Sequence, residues 1–287
     1  MKVLVLFIAM VCAIACTTTE TILDFNLVEG SINKLDSAYV IFQEQAYRFP
    51  LDAQGKGTLK MNIKEDGFAI LVYGKLSTNI YLKQGNTLKV IWDKEDWRGG
   101  KMQVVSDDGG INEYIRLNIE KSFKKATECS FTLEEDSFMD KVEQTIRELS
   151  AGIDSTNFAP EIKDILKASS KYEVLYWIYK YPRFHNFGKR MSQEEYLAFK
   201  RFNEYMFDKF EAHPEYLCLT AYREYAVNWF YELMQLRCFG EPYILKKEKA
   251  CQYILEHVKN AELREYALAE TITPYIKSYG IEGAENI

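Results

Sequence analysis

The sequence predicts an α+β fold in which an antiparallel β-sandwich or partly closed barrel comes first and an all-α helical bundle follows. Three observations predict it. Residues 21–106 hold seven or eight short apolar segments with the two-residue period of strands. Turn residues interrupt those segments about every ten positions, the rhythm of a sandwich or small barrel. Beyond Asp107-Asp108-Gly109-Gly110 the apolar spacing lengthens to the three and four residues of a helix and keeps that period to about residue 279. The chain therefore divides into residues 1–15, 16–107 and 108–287.

The first of these parts is an address. Lys2 precedes an apolar run over residues 3–11, and Ala13-Ile14-Ala15-Cys16 follows. A positive start, a short apolar segment and small residues before the cut make a signal peptide, and Cys16 at the cut supplies a thiol for lipid attachment. The run is shorter than the roughly 20 apolar residues of a membrane span, so the mature chain is expected to be anchored to a membrane through Cys16. Thr17-Thr18-Thr19-Glu20 holds no early Asp to retain the protein at an inner membrane, which points to an outer-membrane anchor facing the periplasm. The alternative is a plain cleaved signal, cut after Ala13 or Ala15.

The strand segments read in order as residues 21–27, 39–42, 47–51, 58–63, 68–73, 79–82, 87–92 and 102–105. Gln54-Gly55-Lys56-Gly57, Glu65-Asp66-Gly67, Gln84-Gly85-Asn86 and Arg98-Gly99-Gly100 supply the reversals between them. No G-x-x-x-x-G-K-[ST] is present, so these glycines read as turns and not as a phosphate cradle. In the remainder, Thr132 to Glu135 and Ser192 to Glu195 fit capping boxes and predict two helix starts. Pro182, Pro214, Pro242 and Pro274 fall where proline opens or limits a helix. Six or seven helices are expected over residues 110–279.

About 270 residues beyond the signal are ample for a buried core. The net charge of −6 is modest, and Lys124-Lys125, Lys189-Arg190 and Lys246-Lys247-Lys249 are short basic clusters interleaved with acids. Nucleic acid as a partner calls for a concentrated basic face and is not expected. Removing Cys12 and lipidating Cys16 leaves Cys129, Cys218, Cys238 and Cys251, with no C-x-x-C. Cys218 and Cys238 fall on one predicted helix, where twenty residues span about 30 Å, far beyond the roughly 4.4–6.8 Å of a disulfide. Buried free thiols are the expected state.

No residue pattern announces catalysis, a cofactor or a metal. His185 sits in a predicted loop, His213 precedes Pro214 at a helix boundary, and His257 lies near a helix end, where the macrodipole favours it. None belongs to an H-x-x-x-H or H-E-x-x-H pair. Glu134-Glu135-Asp136 and Glu194-Glu195 occupy first helical turns, where negative charge complements the dipole. Tyr222, Tyr225 and Trp229 follow i, i+3, i+7 spacing, with Tyr172, Tyr176, Trp177 and Tyr179 on a neighbouring helix. Such a stripe is a helix seam or, if exposed, a binding surface for a sugar or a partner; these three are the candidate binding aromatics.

Phe25-Asn26-Leu27-Val28-Glu29-Gly30, Leu51-Asp52-Ala53-Gln54-Gly55, residues 81–90 and Gly110-Ile111-Asn112-Glu113-Tyr114-Ile115 together resemble a domain of unknown function. That domain follows the lipid anchor in thioredoxin-like lipoproteins of the TlpA or AhpC/TSA type. In that family a thioredoxin domain with W-C-x-x-C follows and exchanges disulfides through a low-pKa thiolate. No position in these residues matches that motif, so no active-site residue carries over, and the chain resembles the front half of such a protein. The resemblance implies a non-catalytic binding or scaffold lipoprotein, with a thioredoxin-fold protein as its expected partner. Two alternatives stand beside it: the anchor and linker fragment of a split thiol–disulfide oxidoreductase, and a carbohydrate-binding surface lipoprotein.

Overall fold

A computed structural model describes residues 20–28, 35–93, 102–128, 131–185, 191–208 and 211–280. The signal segment, Cys16, Cys129 and the Arg98-Gly99-Gly100 turn lie outside the described residues. The chain forms two compact units, one through Leu117 and one from Asn118 onward.

Among the described residues the first unit holds eight strands: β1 Thr21–Val28, β2 Ser37–Phe42, β3 Gln45–Pro50, β4 Lys56–Met61, β5 Gly67–Tyr73, β6 Leu76–Leu82, β7 Thr87–Asp93 and β8 Gln103–Val105. They make two four-stranded open sheets, ordered β4-β1-β7-β8 and β3-β2-β5-β6. Alternation in the sequence becomes alternation of burial. In β1 Leu23, Phe25 and Leu27 point inward, and in β7 Leu88, Val90 and Trp92 do so. These side chains meet Ala38, Val40, Phe49, Leu71 and Ile80 of the second sheet in one core. Phe25 sits at its centre, 5.9 Å from the Phe49 ring and 6.4 Å from Trp92, edge-on to both. Each large apolar side chain fully buried here contributes about 1.5–3 kcal/mol.

One pairing departs from an all-antiparallel sheet: β1 runs parallel to β7, with Phe25 opposite Val90. A two-residue period is the same for either direction of pairing, so the sequence carries no mark of it. The β2–β3 reversal is a two-residue turn in which Gln43 and Glu44 both take positive φ, 48° and 63°.

The remaining chain is helical: α1 Ile111–Thr127, α2 Glu135–Asp154, α3 Pro160–His185, α4 Gln193–Leu197, α5 Lys200–Asp208, α6 Thr220–Arg237, α7 Tyr243–His257 and α8 Ala261–Tyr279, with a 3₁₀ turn at Pro214–Tyr216. Among the described residues eight helices stand where six or seven are expected, because the short α4 and α5 split one periodic segment. Ser192 forms the predicted capping box with Glu195. The start predicted at Thr132 falls later: α2 begins at Glu135 with Glu134 as its N-cap, and the Glu135 carboxylate accepts from the Phe202 backbone N–H in the first turn of α5, at 2.9 Å. Pro214 and Pro242 stand at starts as expected, whereas Pro182 and Pro274 lie inside α3 and α8.

Helix α1 begins under tight control. The Asp108 carboxylate accepts from the backbone N–H groups of Gly110, Ile111 and Asn112, satisfying donors that a helix start leaves open. Asn112 then turns to the edge strand β6, which ties the first turns of α1 to the β unit.

Candidate functional site

Tyr222, Tyr225 and Trp229 are 0%, 3% and 2% exposed, which corrects their reading as a binding surface. Tyr222 and Tyr225 project from α6 into the seam with α3, where Tyr172 lies 4.7 Å from the Tyr222 ring and 4.8 Å from Tyr225, and Trp229 lies 6.2 Å from the Tyr253 ring of α7. The phenol ends of the two tyrosines are engaged inside the protein: the Tyr222 hydroxyl accepts from the His213 backbone N–H at 2.8 Å, and the Tyr225 and Tyr205 hydroxyls are 2.7 Å apart. Burial raises the pKa of all four phenols, strongly for Tyr205 and to about 12 for Tyr222. The i, i+3, i+7 spacing marks a helix face, and the face it marks is turned inward.

Cys218, Cys238 and Cys251 are free thiols, with Cys218 and Cys238 flanking the two ends of α6. Burial pushes the Cys218 and Cys251 thiols up to about 11, so both are protonated at neutral pH. His185 closes α3 and is not in a loop, its Nδ1 2.8 Å from the Phe131 carbonyl. His213 sits beside Glu215 and Glu211, at 2.9 and 3.5 Å, and His257 ends α7 with its Nδ1 3.0 Å from the Tyr253 carbonyl. Among the described residues, no group of three or more His, Cys, Asp or Glu side chains could hold a metal ion.

The chemistry that does gather lies around Tyr231 of α6. The Arg183 guanidinium lies 5.5 Å from the centre of its ring, and the Lys247 ammonium of α7 lies 5.2 Å from the same ring and 5.5 Å from that of Tyr243. Cations gain from the negative face of an aromatic ring, yet the two differ in their counter-ions. Arg183 donates to Oε1 of Glu232 at 2.9 Å, and Tyr196 donates to Oε2 at 3.3 Å. Lys247 is 8% exposed and has no carboxylate or hydrogen-bond partner among the described residues. Its burial lowers its pKa.

Lys247 lines a cleft formed by α6, α7 and α8. The walls are Val227, Tyr231, Met234 and Gln235 from α6, Tyr243, Lys246, Lys247 and Ala250 from α7, and Thr271 from α8. Its space is about 310 Å³ with open solvent included, and it leaves room inside for about one water molecule. Lys246 donates to the Gln235 amide oxygen at 2.8 Å, so the second ammonium at the cleft has a neutral partner there. Two cations and no carboxylate among nine lining residues make a positively charged recess with apolar walls.

Sequence reasoning passed over this place because Lys246-Lys247-Lys249 reads as a solvated basic cluster. A signal was nevertheless present. Lys247, Ala250, Cys251 and Ile254 stand at i, i+3, i+4 and i+7, and all four are buried in α7. A lysine in register with an apolar helical stripe is out of place unless something meets its charge.

No protein-family model, curated protein or solved structure matches the chain.

Proposed function

We propose that this chain is a non-catalytic lipoprotein of the cell envelope, held through Cys16 at the outer membrane facing the periplasm. Its β unit and helical unit bind or position another protein. The observation that carries the reading is the N-terminal address, in which Lys2, the apolar run of residues 3–11 and Ala13-Ile14-Ala15-Cys16 stand in the order that export and lipidation require. No described helix is long and apolar enough to cross a membrane. The partner we favour is a thioredoxin-fold protein, on the strength of the resemblance in the strand and turn segments.

The thiols support this division of labour. Cys251 is buried and Cys218 partly so, and both hold their protons to about pH 11, so neither of these two supplies a thiolate at neutral pH and we look to the partner for one. The split-oxidoreductase reading differs only in that the partner's redox domain and this chain make one enzyme together. A sugar-binding platform built on Tyr222, Tyr225 and Trp229 has no exposed rings to offer.

Fatty-acid labelling of cells expressing the wild type and Cys16→Ser tests the anchor. Label on the wild type alone, with the variant released from the membrane fraction, is expected; equal labelling overturns it. Capture from detergent-solubilised envelope with the full lipidated chain tests the partner. A thioredoxin-fold protein among the bound chains is expected, and disulfide exchange by the pair but by neither alone would select the split enzyme. Recovery of only glycan-handling proteins overturns the redox partnership.

A further inference from the structure

We infer that the recess where α6, α7 and α8 meet binds a single-atom anion, chloride being the common one, with Lys247 as its counter-ion. The inference goes beyond the proposed function and stands whether or not the chain is lipidated.

Charge comes first. The Lys247 ammonium lies 5.2 Å from the centre of the Tyr231 ring and 5.5 Å from that of Tyr243, and both rings line the recess, so the charge sits between its walls. A lysine more than nine-tenths buried is tolerated when an anion or a set of acceptors meets it. The carboxylates around it are engaged elsewhere. Glu248, its neighbour in sequence, acts on Lys249, and Glu241 accepts from Lys249 at 2.7 Å. Glu232 accepts from Arg183 and Tyr196, and the cations that act on it are Arg183, Lys180 and Lys246. Among the described residues no carboxylate acts on Lys247, whose surroundings contribute its burial and the Cys251 thiol.

Two further sources of positive potential stand at the same place. Lys246 is a second ammonium on the wall, held by the neutral Gln235 amide. Helix α7 begins at Tyr243, with Pro242 as N-cap and no side chain accepting from its first turn, so the positive end of its dipole is open beside the recess.

Size decides which anion. The recess leaves room for about one water molecule. Sulfate, phosphate and carboxylates are groups of several heavy atoms and do not fit; a halide is one atom, little larger than water, and does. A water molecule fills the same space but is neutral and leaves the charge of Lys247 unmet. The other lining groups suit a halide. The Gln235 amide, whose oxygen accepts from Lys246, keeps its two N–H donors, and the Thr271 hydroxyl stands on the α8 wall. Val227, Met234 and Ala250 are apolar, as befits an ion more weakly hydrated than a carboxylate. Because the lining comes from three helices, occupancy stabilises their packing by an amount that grows with ion concentration.

The test is chlorine-35 NMR on the full chain in detergent, together with its thermal midpoint as chloride replaces gluconate at constant ionic strength. Lys247→Met and Lys247→Gln are run beside the wild type. The folded wild type is expected to broaden the chloride line, bromide to relieve the broadening and acetate to leave it. The midpoint should rise with chloride and level off, and binding should be at least tenfold weaker in both variants. If neither variant folds, the bromide and acetate competition on the wild type carries the test. A line that stays narrow, broadening that survives unfolding in urea, displacement by acetate as readily as by bromide, or equal binding by a folded Lys247 variant would each overturn the inference.

Discussion

The Arg183 guanidinium and the Glu232 carboxylate meet at 2.9 Å between α3 and α6, with 5% of the Glu232 side chain exposed and 45% of Arg183. The pair is lopsided: the acid is fully withdrawn from water and the base is only half withdrawn. Burial holds the Glu232 carboxyl above the usual carboxylate range although Arg183 pulls it down. Removing a partner from a buried pair costs roughly 3–5 kcal/mol, and the exposed part of Arg183 reduces that here.

Arg183→Met is therefore expected to cost about 2 kcal/mol at pH 7.5, and Glu232→Gln less, since glutamine keeps an acceptor for Tyr196. The pH dependence has a definite sign. An acid whose folded pKa is raised binds its proton in the folded state first as pH falls, so its burial penalty is absent at low pH and grows as pH rises through that pKa. Arg183→Met raises the pKa further. Urea midpoints should show its deficit narrowing from pH 7.5 to pH 5.5; an unchanged deficit would mean that Arg183 acts through packing over Tyr231 and not through charge.

Asn112 and Tyr81 give a second prediction. The Asn112 amide donates to the Tyr81 carbonyl at 2.7 Å and accepts from the Tyr81 N–H at 2.8 Å, taking the place of a neighbouring strand at the β6 edge. It also donates to Asp108. Asn112→Ala leaves two buried backbone groups without partners, at about 1–3 kcal/mol each, so a total near 3 kcal/mol is expected by urea denaturation. Asn112→Asp keeps the acceptor, loses the donor and sets a second carboxylate beside Asp108, which should be at least as costly at neutral pH and recover on acidification. Amide exchange at Tyr81 reports the same loss locally.

The eight strands and the helical remainder were legible because their signals are local. Leu23, Phe25 and Leu27 alternate, and Ser192 stands three residues before Glu195. What was not legible depends on partners far along the chain. The parallel β1–β7 pairing leaves the alternation of Leu88, Val90 and Trp92 unchanged. The Glu135 carboxylate serves the start of α5, 67 residues away, and α2 takes Glu134 and not Thr132 as its N-cap. The Tyr222, Tyr225 and Trp229 stripe was visible as a face, but which way a face turns is decided by the helices that pack over it, α3 on the tyrosines and α7 on Trp229. Lys247 was masked by its charged neighbours, Lys246 and Lys249, although its register with Ala250 and Ile254 was readable.

The β2–β3 turn supplies a prediction of opposite sign. Two-residue hairpin loops with positive φ at both positions favour Asn and Gly, and here Gln43 and Glu44 hold those positions, which is why the reversal is silent in the sequence. A side-chain-bearing residue in the left-handed region costs about 1 kcal/mol. Glu44→Gly removes that strain and adds some freedom to the unfolded chain, for a net gain near 0.5 kcal/mol. Gln43 is left alone because its amide donates to Glu65 at 2.7 Å. Gly55→Ala should lose stability, since φ is 81° there and a Cβ would lie 3.1 Å from the Leu27 carbonyl oxygen. Thermal midpoints moving the same way in both variants would contradict the strain argument.

The thiols give the last prediction. Cys218 and Cys251 are raised by burial to about 11 from 9.0, and only the thiolate attacks an alkylating reagent. At pH 8.5 iodoacetamide should label both slowly in the folded protein and quickly in urea, Cys251, with no exposed surface, being the slower of the two. The same shift links to stability. The unfolded chain gives up these protons near pH 9 while the folded chain keeps them to about pH 11, so the folded state binds more protons in that window and stability falls as pH rises through it. Serine at both positions should flatten that alkaline limb. The Cys251→Ser hydroxyl would enter an apolar site in α7 and lower stability at every pH, so the quantity to compare is the slope between pH 9 and 11. A wild-type slope retained in the double variant would assign the alkaline loss to the buried phenols.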